Sequence, residues 1–225
     1  MMDNKFIIDN LSPMVSEKRL ETFINVLNNR TYYITVVLED LFQSHNASAV
    51  LRSCDCFGIQ NVHVIENTYE FKENPDVSLG SSQWLTKFKY NSFENNTINA
   101  IKYLKRQSYR IVATTPHTND VSLNDLDLGK GKIALFFGAE LPGLSQTVLE
   151  QADEFVKIPM YGFTESFNIS VSAAICLYDI VNRLKTSDIK WQLNELEKEE
   201  LLAKWLKVSV RESEKILKLL KVRNS

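Results

Sequence analysis

Asn46 and Arg52, Glu140, and Asn168 with Ser170 are the polar residues of this chain whose types and positions could do chemistry. A guanidinium grips planar oxyanions with a fork of donors, a carboxylate only accepts, and an asparagine amide does both. Each set follows a run that reads as a strand. Ser44 to Arg52 comes after 32–38 (YYITVVL), Phe136 to Gly143 continues Ile133–Phe137, and the polar, aromatic loop to Ser172 continues Phe155–Ile158. In α/β sheets, ligands bind outside the carboxyl ends of strands. Gly138 lacks a Cβ and would let a ligand approach the backbone closely. Glu140 then precedes the turn pair Pro142-Gly143. Asn168 and Ser170 begin an apolar helix, whose N-terminal amides and partial positive charge suit an anion. Each set also has an everyday reading: Arg52 in a surface ion pair, Glu140 exposed on a turn, Asn168 or Ser170 as a helix cap. Asn46 and Arg52 are six apart, about 240° around a helix, and need not share a face; if Asn46 is the cap, that angle says little.

The common nucleotide signatures fail. Gly129-Lys130-Gly131 precedes a strand instead of following one, and Ala134 stands where a dinucleotide fingerprint needs its third glycine. Gly138 and Gly143 have P-loop spacing, but Leu144-Ser145 replaces the lysine and hydroxyl pair. Cys54 and Cys56 diverge by about 200° on a helix, so buried thiols are expected and a metal site is not. His45, His63 and His117 read as a cap, a strand-surface residue and a loop residue.

The elements that must position these residues follow from period and punctuation. Ser12-Pro13 starts a helix with Leu20, Phe23, Ile24 and Leu27 on one face. Strands are predicted at 32–38, 61–65, 85–90, 109–114, 133–137 and 155–158. Helices are predicted from Asn46 to the Gly58 stop, over 97–105, from the Ser145 cap to Leu149, over Ile169–Leu184, and twice between Trp191 and Val222. Strands alternating with helices mean a parallel sheet. The 225 residues, 44% hydrophobic and 24% charged, suit one α/β domain with helical additions, and seven glycines exclude fibrous and low-complexity classes. A net charge of −2 puts any nucleic-acid contact on local patches. Three cysteines, the lack of a basic-then-apolar leader and the lack of a long apolar run point to a cytoplasmic protein without a membrane segment.

Taken together, Asn46-x5-Arg52 with Gly58, then Phe137-Gly138-Ala139-Glu140-x2-Gly143, then Ile158-Pro159-Met160 with Ser166-Phe167-Asn168-Ile169-Ser170-Val171-Ser172, resemble the three ordered motifs of the SpoU (TrmH-type) RNA 2′-O-ribose methyltransferases of the SPOUT superfamily. The resemblance runs from about Lys18 to Lys185. It implies an α/β fold, a parallel sheet flanked by helices with a C-terminal trefoil knot. The organisation it implies is a helical extension over 1–30, a methyltransferase domain over 31–186 and a second helical extension over 187–225. It further implies S-adenosylmethionine as cofactor with Thr114, Gly138, Ile158 and Phe167 as its neighbours, and a homodimer, for which Ile169–Leu184 could supply an interface or simply a core helix.

By the same resemblance Arg52, Asn46, Glu140 and Asn168 are the catalytic set. Arg52 is essential either as a cation stabilising an alkoxide or as an assisted base, since free arginine stays protonated. Lys18, Arg19, Ser166 and Arg183 are the implied RNA contacts. Gln43-Ser44 and Val181 depart from the pattern of tRNA-modifying members. The short N-terminal segment resembles enzymes that methylate the D-loop guanosine of tRNA (position 18 in tRNA numbering). The alternatives are ribosomal RNA as substrate, or a catalytically silent RNA-binding protein on the same scaffold. The charges of the C-terminal helices read as a solvated face.

Overall fold

The computed structural model describes residues 3–92, 94–116 and 120–223. It divides into two compact units, residues 31–191 and a second made of 1–30 with 192–225.

The larger unit holds seven strands: β1 (Ile34–Glu39), β2 (Asn61–Ile65), β3 (Thr86–Tyr90), β4 (Arg110–Thr114), β5 (Val121–Ser122), β6 (Ile133–Phe137) and β7 (Glu154–Lys157). They form one parallel sheet in the order β3-β2-β1-β6-β4-β7-β5. The two-residue β5 was absent from the sequence reading. Alternation along the strands fills both faces. Val36 and Leu38 of β1 and Leu135 and Phe137 of β6 enter one cluster, while Val37, Ala134 and Phe136 enter the other.

On the first face, α3 (Ser44–Cys56) packs against α7 (Ile169–Lys185). On the second lie α5 (Asn96–Arg106) and α6 (Gln146–Gln151), the latter capped by Ser145 as expected. The segment between β2 and β3 contains the one-turn α4 (Pro75–Ser78). Helix α7 is a core helix, burying Ile169, Ala173, Cys176, Leu177, Ile180 and Leu184, and it still exposes Val171 and Tyr178.

The smaller unit comprises α1 (Asn4–Leu11), α2 (Glu17–Leu27), α8 (Glu195–Ser209) and α9 (Ser213–Arg223). The residues before position 31 and after 191 share one core: Phe23 meets Trp205 with ring centroids 5.6 Å apart, and Arg30 lies over the same indole at 5.3 Å. Ser16 caps α2, and Asn194 with Glu197 forms a capping box at α8. Ser12-Pro13 opens only a single 3-10 turn, because α1 already occupies the residues before it. Among the described residues no helix is long and apolar enough to cross a membrane.

His63 and Cys56 depart from expectation. His63 is buried in β2, stacked on Phe88 at 4.6 Å, with Nδ1 2.9 Å from the Tyr90 hydroxyl. It is therefore not a strand-surface residue, and burial holds its pKa down at about 3. Cys54 is buried but Cys56 is exposed, as two positions about 200° apart on a helix must be when one faces the core. His117 lies outside the described residues.

Candidate active site

Three carboxyl strand ends bring the candidate residues to one edge of the larger unit. After β1 the chain passes through Leu41, Phe42 and Gln43 into α3, which starts at Ser44 with Gln43 as its cap residue. Asn46 is consequently inside the first turn and is not the cap, and His45 is an exposed second helical residue. The Asn46 amide is engaged across the sheet edge instead. Its Nδ2 donates to Glu140 Oε1 at 2.8 Å and to Gln43 Oε1 at 3.0 Å.

After β6 the chain makes the tight loop that carries Glu140. Ala139 and Gly143 form an antiparallel bridge, the Gly143 N–H donating to the Ala139 carbonyl at 2.9 Å. A Cβ on Gly138 would fall 2.2 Å from the Gly143 carbonyl carbon and oxygen and 2.4 Å from the Leu144 nitrogen. Glycine is thus required so that the loop can fold back on its own backbone. The far end of the loop is pinned by Glu39, only 2% exposed, which accepts the Ser145 N–H and hydroxyl at 2.8 Å each and the Thr97 hydroxyl at 2.6 Å.

The third strand end leads from β7 to Asn168, the N-cap of α7. The cap is real: Asn168 Oδ1 accepts the Ser170 N–H at 2.9 Å and its hydroxyl at 2.6 Å. The same side chain also reaches the other two segments, Nδ2 donating to Asn46 Oδ1 and to Glu140 Oε1, both at 3.0 Å. Gln43 Nε2 completes the set with Glu140 Oε2 at 3.3 Å. Both N–H bonds of Asn46 and both of Asn168 are spent, and the carboxylate carries three donors. Such a closed network fixes side chains in one arrangement.

Arg52 is not part of it. Six residues beyond Asn46, it lies about 9 Å further along α3 on another face, exposed, with no hydrogen bond or ion pair among the described residues. Ser166 is exposed on the loop before α7. Lys18 and Arg19 are exposed on α2 in the other unit. Arg183 is held by the fold: it donates to Asp179 at 2.8 Å and to the carbonyls of Leu126 and Leu123 at 2.8 and 2.9 Å, which uses three of its five N–H donors. Thr114 ends β4 with its hydroxyl on the Phe136 carbonyl at 2.7 Å, Ile158 is half-buried beyond β7, and Phe167 is partly exposed beside Asn168.

The sequence reading missed the structural parts of Glu39 and Gln43. A lone carboxylate ending an otherwise apolar strand was a usable signal for Glu39; nothing local marked Gln43.

Residues 33–178 match the SpoU rRNA methylase family model. The chain belongs to this family. It is 47% identical over 89% of its length, and 90% of the relative's, to a tRNA (guanosine(18)-2′-O)-methyltransferase of Borreliella burgdorferi. Identity to the enzyme of that description from Aquifex aeolicus is 30%, over 85% of this chain and 90% of the other. The crystal structure of the A. aeolicus TrmH/SpoU tRNA-modifying enzyme superposes with a TM-score of 0.76 at 29% identity, covering 86% of this chain and 98% of that one. A SpoU methyltransferase from Streptomyces viridochromogenes in complex with AdoMet shares the fold, with a TM-score of 0.60 at 20% identity over 73% and 62% of the two chains. The parallel sheet flanked by helices is accordingly the SPOUT fold of these neighbours.

Proposed function

We propose that this chain is an S-adenosylmethionine-dependent RNA ribose 2′-O-methyltransferase that acts on tRNA, at the D-loop guanosine its relatives are named for. The observation that carries the reading is the Asn46–Glu140–Asn168 network, closed from three chain segments at one edge of the sheet.

The residues expected around the cofactor fit it. Thr114, Gly138 and Ile158 end or follow β4, β6 and β7, which are neighbours in the order β6-β4-β7, so the three positions span about 10 Å. Ile158 and Phe167 offer apolar surface to a purine. S-adenosylmethionine, when bound, supplies the electrophilic methyl group. The segment from β6 to α7 is, in this reading, the trefoil knot that encloses it.

The chain's own residues orient and charge-balance the acceptor. Of about four lone-pair sites on Glu140, three are taken by amide donors, leaving one on Oε2 to hold a ribose hydroxyl. As a guanidinium, Arg52 clamps the neighbouring phosphate and stabilises the oxygen's developing negative charge. Because Arg52 touches no member of the network, the site is completed by a homodimer, in which the exposed Val171 and Tyr178 of α7 are covered. Lys18 and Arg19 contact the RNA backbone, and the protein works in the cytoplasm, where tRNA is matured.

Methyl incorporation into unmodified total tRNA and rRNA, followed by nucleoside mass spectrometry, tests the reading. Label recovered as 2′-O-methylguanosine in tRNA is expected; label confined to rRNA moves the substrate, and none in either overturns the proposal. Arg52→Lys should retain cofactor affinity and melting temperature while turnover falls about a hundredfold, since lysine lacks the planar fork. Turnover within roughly threefold of wild type would remove Arg52 from the mechanism.

A further inference from the structure

We propose that Phe42 and Tyr69 form a stacking platform for an unpaired base of the substrate RNA, beside the Asn46–Glu140–Asn168 network; this rests on the function proposed above and deepens it. The rings meet edge to face, centroids 5.1 Å apart and planes at 67°, yet Phe42 is 72% and Tyr69 42% exposed. The pair is held rigidly. Leu41 on one side of Phe42 is 8% exposed in the core, and Gln43 on the other is bonded to Asn46 and Glu140. Asp40, at φ +50°, donates its N–H to the Ile65 carbonyl at 2.9 Å. Its Oδ1 accepts the N–H groups of Asn67, Thr68 and Tyr69 at 2.7, 2.8 and 3.4 Å. One carboxylate oxygen thus ties the loop after β2 to the loop after β1 and sets Tyr69 against Phe42.

A left-handed non-glycine residue and a solvent-exposed aromatic both cost free energy, and the chain holds both beside the network. An apolar partner surface would want apolar neighbours, but Asp40, Gln43 and His45 flank Phe42 in the chain, and Gln43 is bonded to Glu140. A flat face ringed by hydrogen-bonding groups suits a heteroaromatic base, which stacks through its π-face and is hydrogen-bonded at its edges. Phe42 is one residue, about 3.8 Å of backbone, from Gln43, whose amide rests on Glu140. A nucleotide whose ribose is held at Glu140 therefore has its own or an adjacent base within reach of the ring.

The test uses the full chain and an unmodified tRNA transcript. Stacking measured by substitution elsewhere predicts that Phe42→Leu raises KM for tRNA roughly ten- to a hundredfold, with kcat, S-adenosylmethionine affinity and melting temperature near wild type. Phe42→Trp should restore KM, and on titration with the transcript its fluorescence should be quenched beyond the wild-type signal. An unchanged KM in Phe42→Leu, a falling melting temperature that Phe42→Trp does not restore, or no extra quenching overturns the platform. Wild-type methylation in the same assay reports separately on the proposed function, and quenching is read whether or not methyl transfer occurs.

Discussion

Replacing Asn46 by aspartate keeps the shape of the side chain and reverses its role at one atom. In the native network Asn46 Nδ2 donates to Glu140 and Gln43, while Oδ1 accepts from Asn168. Asn46→Asp keeps the acceptor and loses both donors. The charge-assisted bond is worth about 1.5–3 kcal/mol and the neutral one about 1. The new carboxylate also faces Glu140 Oε1 at the former 2.8 Å hydrogen-bond distance. Repulsion at that separation is about 6 kcal/mol at an effective dielectric of 20 and about 1.5 in water; Glu140 is exposed, so the low end, about 1–2, applies.

The variant should therefore lose about 3.5–6 kcal/mol of stability at pH 8. Like-charge repulsion makes one of the paired carboxyls take up a proton at a higher pH in the folded variant than either does in the unfolded chain, where both stay ionised down to about 4. The folded variant binds more protons than the unfolded chain in that window, so its deficit shrinks as pH falls from 8 toward 5. Urea unfolding of variant and wild type at each pH reads the difference directly and cancels titrations common to both. Methyl transfer at pH 8 should fall by about a hundredfold, because a displaced acceptor loses alignment. A deficit below about 0.5 kcal/mol, or one independent of pH, would mean that the network does not hold these side chains.

Three further outcomes follow from particular contacts. Gly138→Ala drives a Cβ to 2.2 Å from the Gly143 backbone and should cost about 2–3 kcal/mol, a fall of about 5–10 °C in melting temperature, with activity lost as the Glu140 loop opens; an unchanged melting curve refutes the packing argument. His63 is buried with a pKa held at about 3 against 6.5, so the unfolded chain alone takes up the proton between those values. Its stabilising contribution is complete above pH 6.5 and declines as pH falls toward 3, by up to about 5 kcal/mol. His63→Gln should lose that part of the slope in acid urea titrations, and parallel wild-type and variant profiles would contradict it. Arg183→Ala frees the carbonyls of Leu123 and Leu126 and the Asp179 carboxylate and should destabilise by about 2–4 kcal/mol; an unchanged melting temperature with a raised KM for tRNA would return Arg183 to the RNA surface.

Much of the architecture was written locally. Ile133–Phe137 is a wholly apolar run of the kind a parallel sheet buries on both faces, Asn61–Ile65 places Val62, Val64 and Ile65 in a short β-branched run, and the observed bounds of both coincide with the predicted ones. Ser145 and the start of α7 were equally legible, because a cap is chemistry within three residues. The three site segments stood out because each polar set follows an apolar run that can only be a strand.

Tertiary structure decided which segments meet and for what purpose. The insertion of β6 between β1 and β4, the shared core of the two terminal segments, and the bonds of Asn46 to partners 94 and 122 positions away depend on packing between distant parts of the chain. Local period says nothing about such contacts. The sequence singled out Gly138 without naming the backbone that crosses it, and it marked Arg52 without revealing that the side chain stands apart from Glu140. Residue type sets what a side chain can bond, but which partner it finds depends on closing loops of tens of residues, and only the packed fold determines which of them close.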